Sequence, residues 1–164
     1  MTQITSSSQR AITDAVPGLK FRFSIVAEVA PSVSLDETAA GELGFIPITG
    51  GTVAGDLEGS VIGSGGDWCL IKSAGTYRVE ARYGIRTTEG AYVDVVNTGI
   101  LTRPGEGAHT PGRGGEYFMT TPVFRTTHPA LAWLTHSVFV GHAVAGDGAT
   151  SIDVFEVIVP GHPA

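Results

Sequence analysis

The sequence predicts an all-β protein: a closed antiparallel β-barrel of about 8–10 strands, preceded by an N-terminal arm or short helix. Three observations carry this reading. From residue 19 onward the hydropathy alternates with period two, the mark of half-buried strands. The 23 glycines and 9 prolines follow no period and cluster between the alternating runs, as turn residues do. The runs also follow one another too closely for crossover helices, which leaves antiparallel pairing. Closure removes exposed sheet edges, so a barrel is preferred over a jelly roll, although the pattern alone does not separate them.

Residues 1–18 stand apart from the rest. Ser8 offers a helix cap, Ile12 and Val16 share a face, and Pro17-Gly18 ends the segment. An isolated helix so short is marginal in water, so a frayed arm stays open as the alternative. Residues 19–164 form one barrel domain.

The first strand is expected over 20–30, with Phe21, Phe23, Ile25, Ala27 and Val29 on one side. Alternation is strictest over 76–88: Tyr77, Val79, Ala81, Tyr83 and Ile85 on one face, Arg78, Glu80, Arg82 and Arg86 on the other. Glu89-Gly90 then turns the chain into a partner strand over 91–101. Further strands are expected over 116–127, 131–143 and 151–159, where β-branched and aromatic residues are enriched. Turn clusters fall at Gly50-Gly51, 63–67, 105–115, Pro129 and 146–148. The segment 103–116 is the one long loop, read as either a hinged binding loop or a surface insertion.

Composition excludes several classes. A chain of 164 residues has the size of one domain with its own core. Charged residues make up 16% where about 25% is usual, and hydrophobic residues 42%, so the chain is not disordered. Cys69 has no partner for an internal disulfide. A net charge of -6 gives no basic footprint for nucleic acid, and no apolar run is long enough for a membrane helix. The N-terminus lacks a basic flank and an apolar core, so a cytoplasmic location is expected.

Four groups of residues could carry chemistry. Glu80 and Arg82 share the polar face of the 76–88 strand; it is a solvated outer face, or, turned into a lumen, a paired carboxylate and guanidinium fit for proton transfer. In Gly63-Ser64-Gly65-Gly66-Asp67-Trp68, small residues precede an acid and a large ring, so Asp67 is aimed at a cavity or caps a turn. Tyr83, Tyr92, Tyr117, Phe118, Phe124, Trp133 and Phe139 are core aromatics by default, and their polar-tipped members suit a planar apolar ligand. His136 and His142 fall on one strand side, and His136 is a further catalytic candidate. No zinc spacing, nucleophile elbow, phosphate loop or dinucleotide fingerprint occurs, so neither metal nor cofactor is expected.

Several blocks in order resemble one family. IPITGGTVAGDLEGSVIGSGGDW, EARYGIRTTEGAYVDVVNTG, YFMTTPVFRT and WLTHSVFVG are similar to the domain of unknown function 3237 family, also called uncharacterised protein family 0311, over residues 19–159. The resemblance implies a closed barrel like that of allene oxide cyclase and calycin-like proteins, often dimeric, with cofactor-free chemistry on apolar substrates where members are enzymes. It carries over to Asp67 and Trp68, to Glu80, Arg82 and Tyr83, and to Asn97, Tyr117, Phe118 and Trp133. The chain departs from the family at Glu80, where Asp is commoner, and at Thr135-His136, where Asn usually follows the Trp-Leu pair.

The expected function is therefore a cofactor-independent lyase or isomerase of hydratase or cyclase type. Arg82, with Tyr83 or Asn97, would polarise a carbonyl, while Glu80 or Asp67 moves the proton. The partners expected are a small apolar or aromatic molecule and a second copy of the chain. The rival class is a lipocalin-like carrier or sensor holding the same molecule unchanged. A solid structural barrel is the third reading, favoured where no cavity exceeds about 300 Å³.

Overall fold

Nine strands account for most of the chain in the computed structural model, which describes residues 16–72, 75–103 and 116–159. They are β1 (Gly18–Val29), β2 (Val33–Thr38), β3 (Gly41–Gly55), β4 (Gly59–Lys72), β5 (Thr76–Thr87), β6 (Tyr92–Thr102), β7 (Tyr117–Arg125), β8 (Phe139–Ala145) and β9 (Ala149–Ile158). Every described pairing is antiparallel, and the order β1-β9-β8-β7-β6-β5-β4-β3 closes through a β1–β3 pairing. Eight strands thus form the closed barrel, and β2 is added outside the ring on the first half of β3. Residues 1–15 and 104–115, on which the arm and most of the long loop fall, lie outside the described residues.

Side-chain alternation sets the inside and the outside. On β5, Tyr83 and Ile85 are buried, whereas Arg78, Glu80, Arg82 and Arg86 are exposed. The apolar face of the strand therefore looks inward and the charged row lies on the outer wall. This corrects the inward-facing alternative for Glu80 and Arg82. Most side chains inside are apolar, and a row of four charges placed among them would lose its hydration.

Two glycine clusters read as turns are instead inside strands. Gly50 and Gly51 sit in β3 at a break in register between Ile48 and Thr52, and Gly51 has φ 136°. Gly63 to Gly66 sit in β4, where the register shifts between Ile62 and Gly66 and Ser64 takes φ 98°. These are β-bulges, which bend a strand sharply enough to close a small barrel. A side chain at Gly66 would collide with the Phe45 ring, so the tight bend also requires glycine for space.

The segment expected as a strand over 131–143 divides. Pro129–Leu131 forms a 3₁₀ turn, α1 (Trp133–His136) follows, and only Phe139 onward joins the sheet. Proline at the first helical position supplies a preset φ there. The turn carries Leu134 and Trp133 against one end of the barrel. There Phe23, Phe124, Trp133 and Phe139 meet edge to face, with ring centroids 5.3–6.1 Å apart. Such pairs contribute about 0.5–1.5 kcal/mol each beyond the area they bury. This aromatic plug closes one end of the barrel. Among the described residues, no helix is long and apolar enough to cross a membrane.

Candidate active site in the open end of the barrel

The opposite end of the barrel is not filled. All eight ring strands line a cavity of about 200 Å³ there, and four of the wall residues are Ala27, Ala81, Ala143 and Ala145. Methyl groups leave space where the plug has rings. Val29, Ile46, Ile48, Val79, Phe118 and Ile152 make the rest of the apolar wall.

Asp67, Tyr83, Asn97 and Thr120 are set into this wall, and Thr150 and Arg103 also line the cavity. Asp67 on β4 is paired in register with Ala81 on β5, and Ala81 with Asn97 on β6. Asp67 and Asn97 thus lie on one rung, two inter-strand spacings or roughly 10 Å apart, with only a methyl between them. Tyr83 stands two residues along β5 from Ala81, and Thr120 on β7 faces Gly99, two residues along β6 from Asn97.

Three of these groups are orphaned. Tyr83 Oη, Asn97 Oδ1 and Thr120 Oγ1 are buried and have no hydrogen-bond partner. Their residues are only 5%, 3% and 3% exposed. A buried polar atom without a partner costs about 1–3 kcal/mol, so three around one cavity mark a place built to receive polar atoms.

Asp67 is the ionisable group of the interior. Its Oδ1 accepts a hydrogen bond of 2.9 Å from the Glu80 backbone N–H. Burial nevertheless pushes its carboxyl up to about 6, with the Glu80 charge adding to the rise and the amide bond opposing it. Burial also pushes the Tyr83 phenol up, so it stays protonated and able to donate. Arg103 stands at the mouth, bonded to Glu116 Oε2 at 3.1 Å and lying over the Tyr77 ring.

Of the residues singled out in the sequence, Asp67, Tyr83, Asn97 and Phe118 meet in this cavity. The rest are elsewhere. Glu80, Trp68 and Tyr117 face outward and line a groove of about 710 Å³ on the outer wall with Leu43, Leu70 and Ile100. Trp68 is 44% exposed and packs against Phe45. Arg82 is exposed on the same wall. Trp133 belongs to the plug, beneath the Arg22 guanidinium. His136 ends α1 and is exposed, because the chain is helical there and does not carry it on a strand beside His142. Thr120 was missed; counting alternate residues from Phe118 places it on the inner face. The alanines were missed as well, since their signal is absence of bulk. At about 200 Å³ the interior is smaller than the roughly 300 Å³ usual for a ligand pocket, yet the orphaned polar atoms distinguish it from a solid core. Among the described residues, no group of three His, Cys, Asp or Glu could hold a metal ion.

Comparison with known proteins agrees with this architecture. A family model described as "Protein of unknown function (DUF3237)" matches residues 17–157. A UPF0311 protein of Rhodopseudomonas palustris is 36% identical over 146 residues, covering 85% of this chain and 95% of that one. The crystal structure of a conserved R. palustris protein of unknown function superposes with a TM-score of 0.81 at 34% identity, over 87% of this chain and 99% of that one. An enzyme from Penicillium herquei shares the fold at a TM-score of 0.68 and 24% identity, over 87% and 95% of the two chains.

Proposed function

We propose that this chain, which belongs to the DUF3237 family of proteins of unknown function, is a cofactor-independent lyase or isomerase that moves a proton on a small conjugated carbonyl compound inside the barrel. One observation carries the reading: a carboxyl with its midpoint at about 6 lines an otherwise largely apolar cavity beside a phenol that has no partner. A group titrating so close to neutrality can both take and give a proton at working pH.

The chemistry follows from these groups. The Asp67 carboxylate removes a proton from the γ-carbon, next to the conjugated double bond, and the electron pair moves through that bond onto the carbonyl oxygen. The Tyr83 O–H donates to that oxygen and stabilises the enolate in a site of low dielectric. The carboxylic acid then returns the proton to a different carbon, which isomerises the substrate. Addition of water or of an internal hydroxyl to the conjugated double bond uses the same pair, with Asp67 accepting the nucleophile's proton and delivering it to carbon. Arg82 and the Glu80 side chain take no part, because both are outside.

The test is incubation of the chain with conjugated enones in D₂O, followed by NMR. Deuterium entering carbon, abolished in Asp67→Asn, supports the assignment. Tight binding of ligands that never exchange or change supports the carrier reading instead.

A further inference from the structure

From the geometry of the open end we infer that the lumen selects an uncharged, single-ring compound carrying a free hydroxyl besides its carbonyl, held by Asn97, Thr120 and Tyr83. The inference rests on the lumen being the site, and it concerns what enters rather than what happens there.

Size sets the first limit. A dry cavity of roughly 150 Å³ holds a benzene ring. The lumen, at about 200 Å³, therefore takes one ring with one or two oxygen substituents and excludes fused rings. Burial of the alanines decides this: Ala27 and Ala143 are each only 3% exposed, so their methyls cannot swing aside to enlarge it.

The donor count sets the second limit. Tyr83 and Thr120 hydroxyls can each donate or accept, but Asn97 Oδ1 only accepts. A simple ketone satisfies the two hydroxyls and leaves Asn97 Oδ1 bare. A ring hydroxyl supplies the missing donor. Since Asn97 is 3% exposed, water from outside does not readily substitute once the ring is seated.

Charge sets the third limit. The lining holds one cationic side chain, Arg103 at the mouth, and it is already engaged with Glu116. An anion inside would face Asp67 and neutral groups only. An ammonium would meet one carboxylate in place of its whole hydration shell, a poor exchange for a buried ion.

Calorimetric titration of the full chain tests this with four probes of one shape. They are para-hydroxyacetophenone, its methyl ether, para-hydroxybenzoate and tyramine, all at near-neutral pH. The hydroxyketone should bind, and each of the others should bind about tenfold or more weakly, the loss expected for one buried group left unpaired. In Asn97→Leu the advantage of hydroxyl over ether should disappear. In Ala143→Leu all binding should be lost, because the added carbons occupy the ring's place. The two variants must keep the wild-type circular dichroism; where Asn97→Leu does not fold, the wild-type probe ranking decides. An ether that binds as well as the phenol, an anion or amine that binds better, or no binding at all overturns the inference. Failure of the catalytic reading looks different: the hydroxyketone binds as expected, yet Asp67→Asn leaves enone turnover intact. Conversely, turnover that needs Asp67 but prefers charged or hydroxyl-free substrates removes this inference and leaves the catalytic one standing.

Discussion

The backbone N–H of Glu80 donates to Oδ1 of Asp67 across the β4–β5 ladder, at 2.9 Å. The register runs through Asp67↔Ala81 and resumes at Leu70↔Arg78, and in the gap the carboxylate takes up a backbone donor. The bond pins a carboxyl that would otherwise rotate within the cavity. It also means that Glu80 reaches the site through its main chain, while its side chain remains in solvent.

Asp67→Asn should lower kcat by about 10²–10⁴, the usual contribution of a positioned acid or base. In the wild type, kcat/KM should rise with pH through about 6, because the first step needs the carboxylate. A pH profile of the variant that keeps this inflection would assign it to another group.

Glu80→Gln and Arg82→Gln should both leave turnover near wild type. Their side chains are on the outer wall, where substitutions change stability by less than about 0.5 kcal/mol. In Glu80→Gln the inflection should move to lower pH, since the Glu80 charge helps to hold the Asp67 proton. Steady-state kinetics of the two variants decides this, and a loss as deep as that of Asp67→Asn would place chemistry on the outer face.

Stability should depend on pH through the same carboxyl. Asp67 holds its proton to about pH 6 when folded, against 3.8 when unfolded. Stability is therefore fully present below the unfolded value and is lost as pH rises between the two. Asp67→Asn removes that loss and should gain about 1–3 kcal/mol over wild type at neutral pH, after allowance for solvent at the mouth. Below the unfolded midpoint the gain should vanish. Urea denaturation at the two pH extremes measures it, and a gap that ignores pH would contradict the assignment.

Phe23→Ala should destabilise the barrel by about 3–5 kcal/mol. Phe23 is fully buried and touches both Phe124 and Trp133 in the plug. Binding of the lumen probes should persist at temperatures where the variant stays folded, because the plug and the cavity occupy opposite ends. Chemical denaturation and calorimetry check the two halves of this statement.

Gly66→Ala should fail to reach wild-type stability even though alanine is the smallest substitution. Its Cβ would land on the Phe45 ring, which itself packs at a tilt against Trp68. Thermal melts of Gly66→Ala and the double variant Gly66→Ala/Phe45→Ala test it; relief in the double variant identifies the ring as the cause.

Period-two alternation by itself determined the all-β class, the strand content and which residues of β5 share a face, since a pleated strand sends successive side chains to opposite sides. The glycine run before Asp67, the aromatic set holding Tyr83 and Phe118, and the family resemblance at Asn97 brought those four residues forward as candidates. Tertiary structure alone decided which face was inside: the two faces of 76–88 are equally regular in sequence, and only closure against the other seven strands buried Tyr83 and left Glu80 in water. It also turned the glycine clusters from turns into bulges, because a glycine's freedom of φ serves either purpose until neighbouring strands fix the register. The cavity was the least legible part. It exists because four alanines on three different strands converge at one end while four rings converge at the other, and such convergence is a property of strand tilt and register rather than of any one segment.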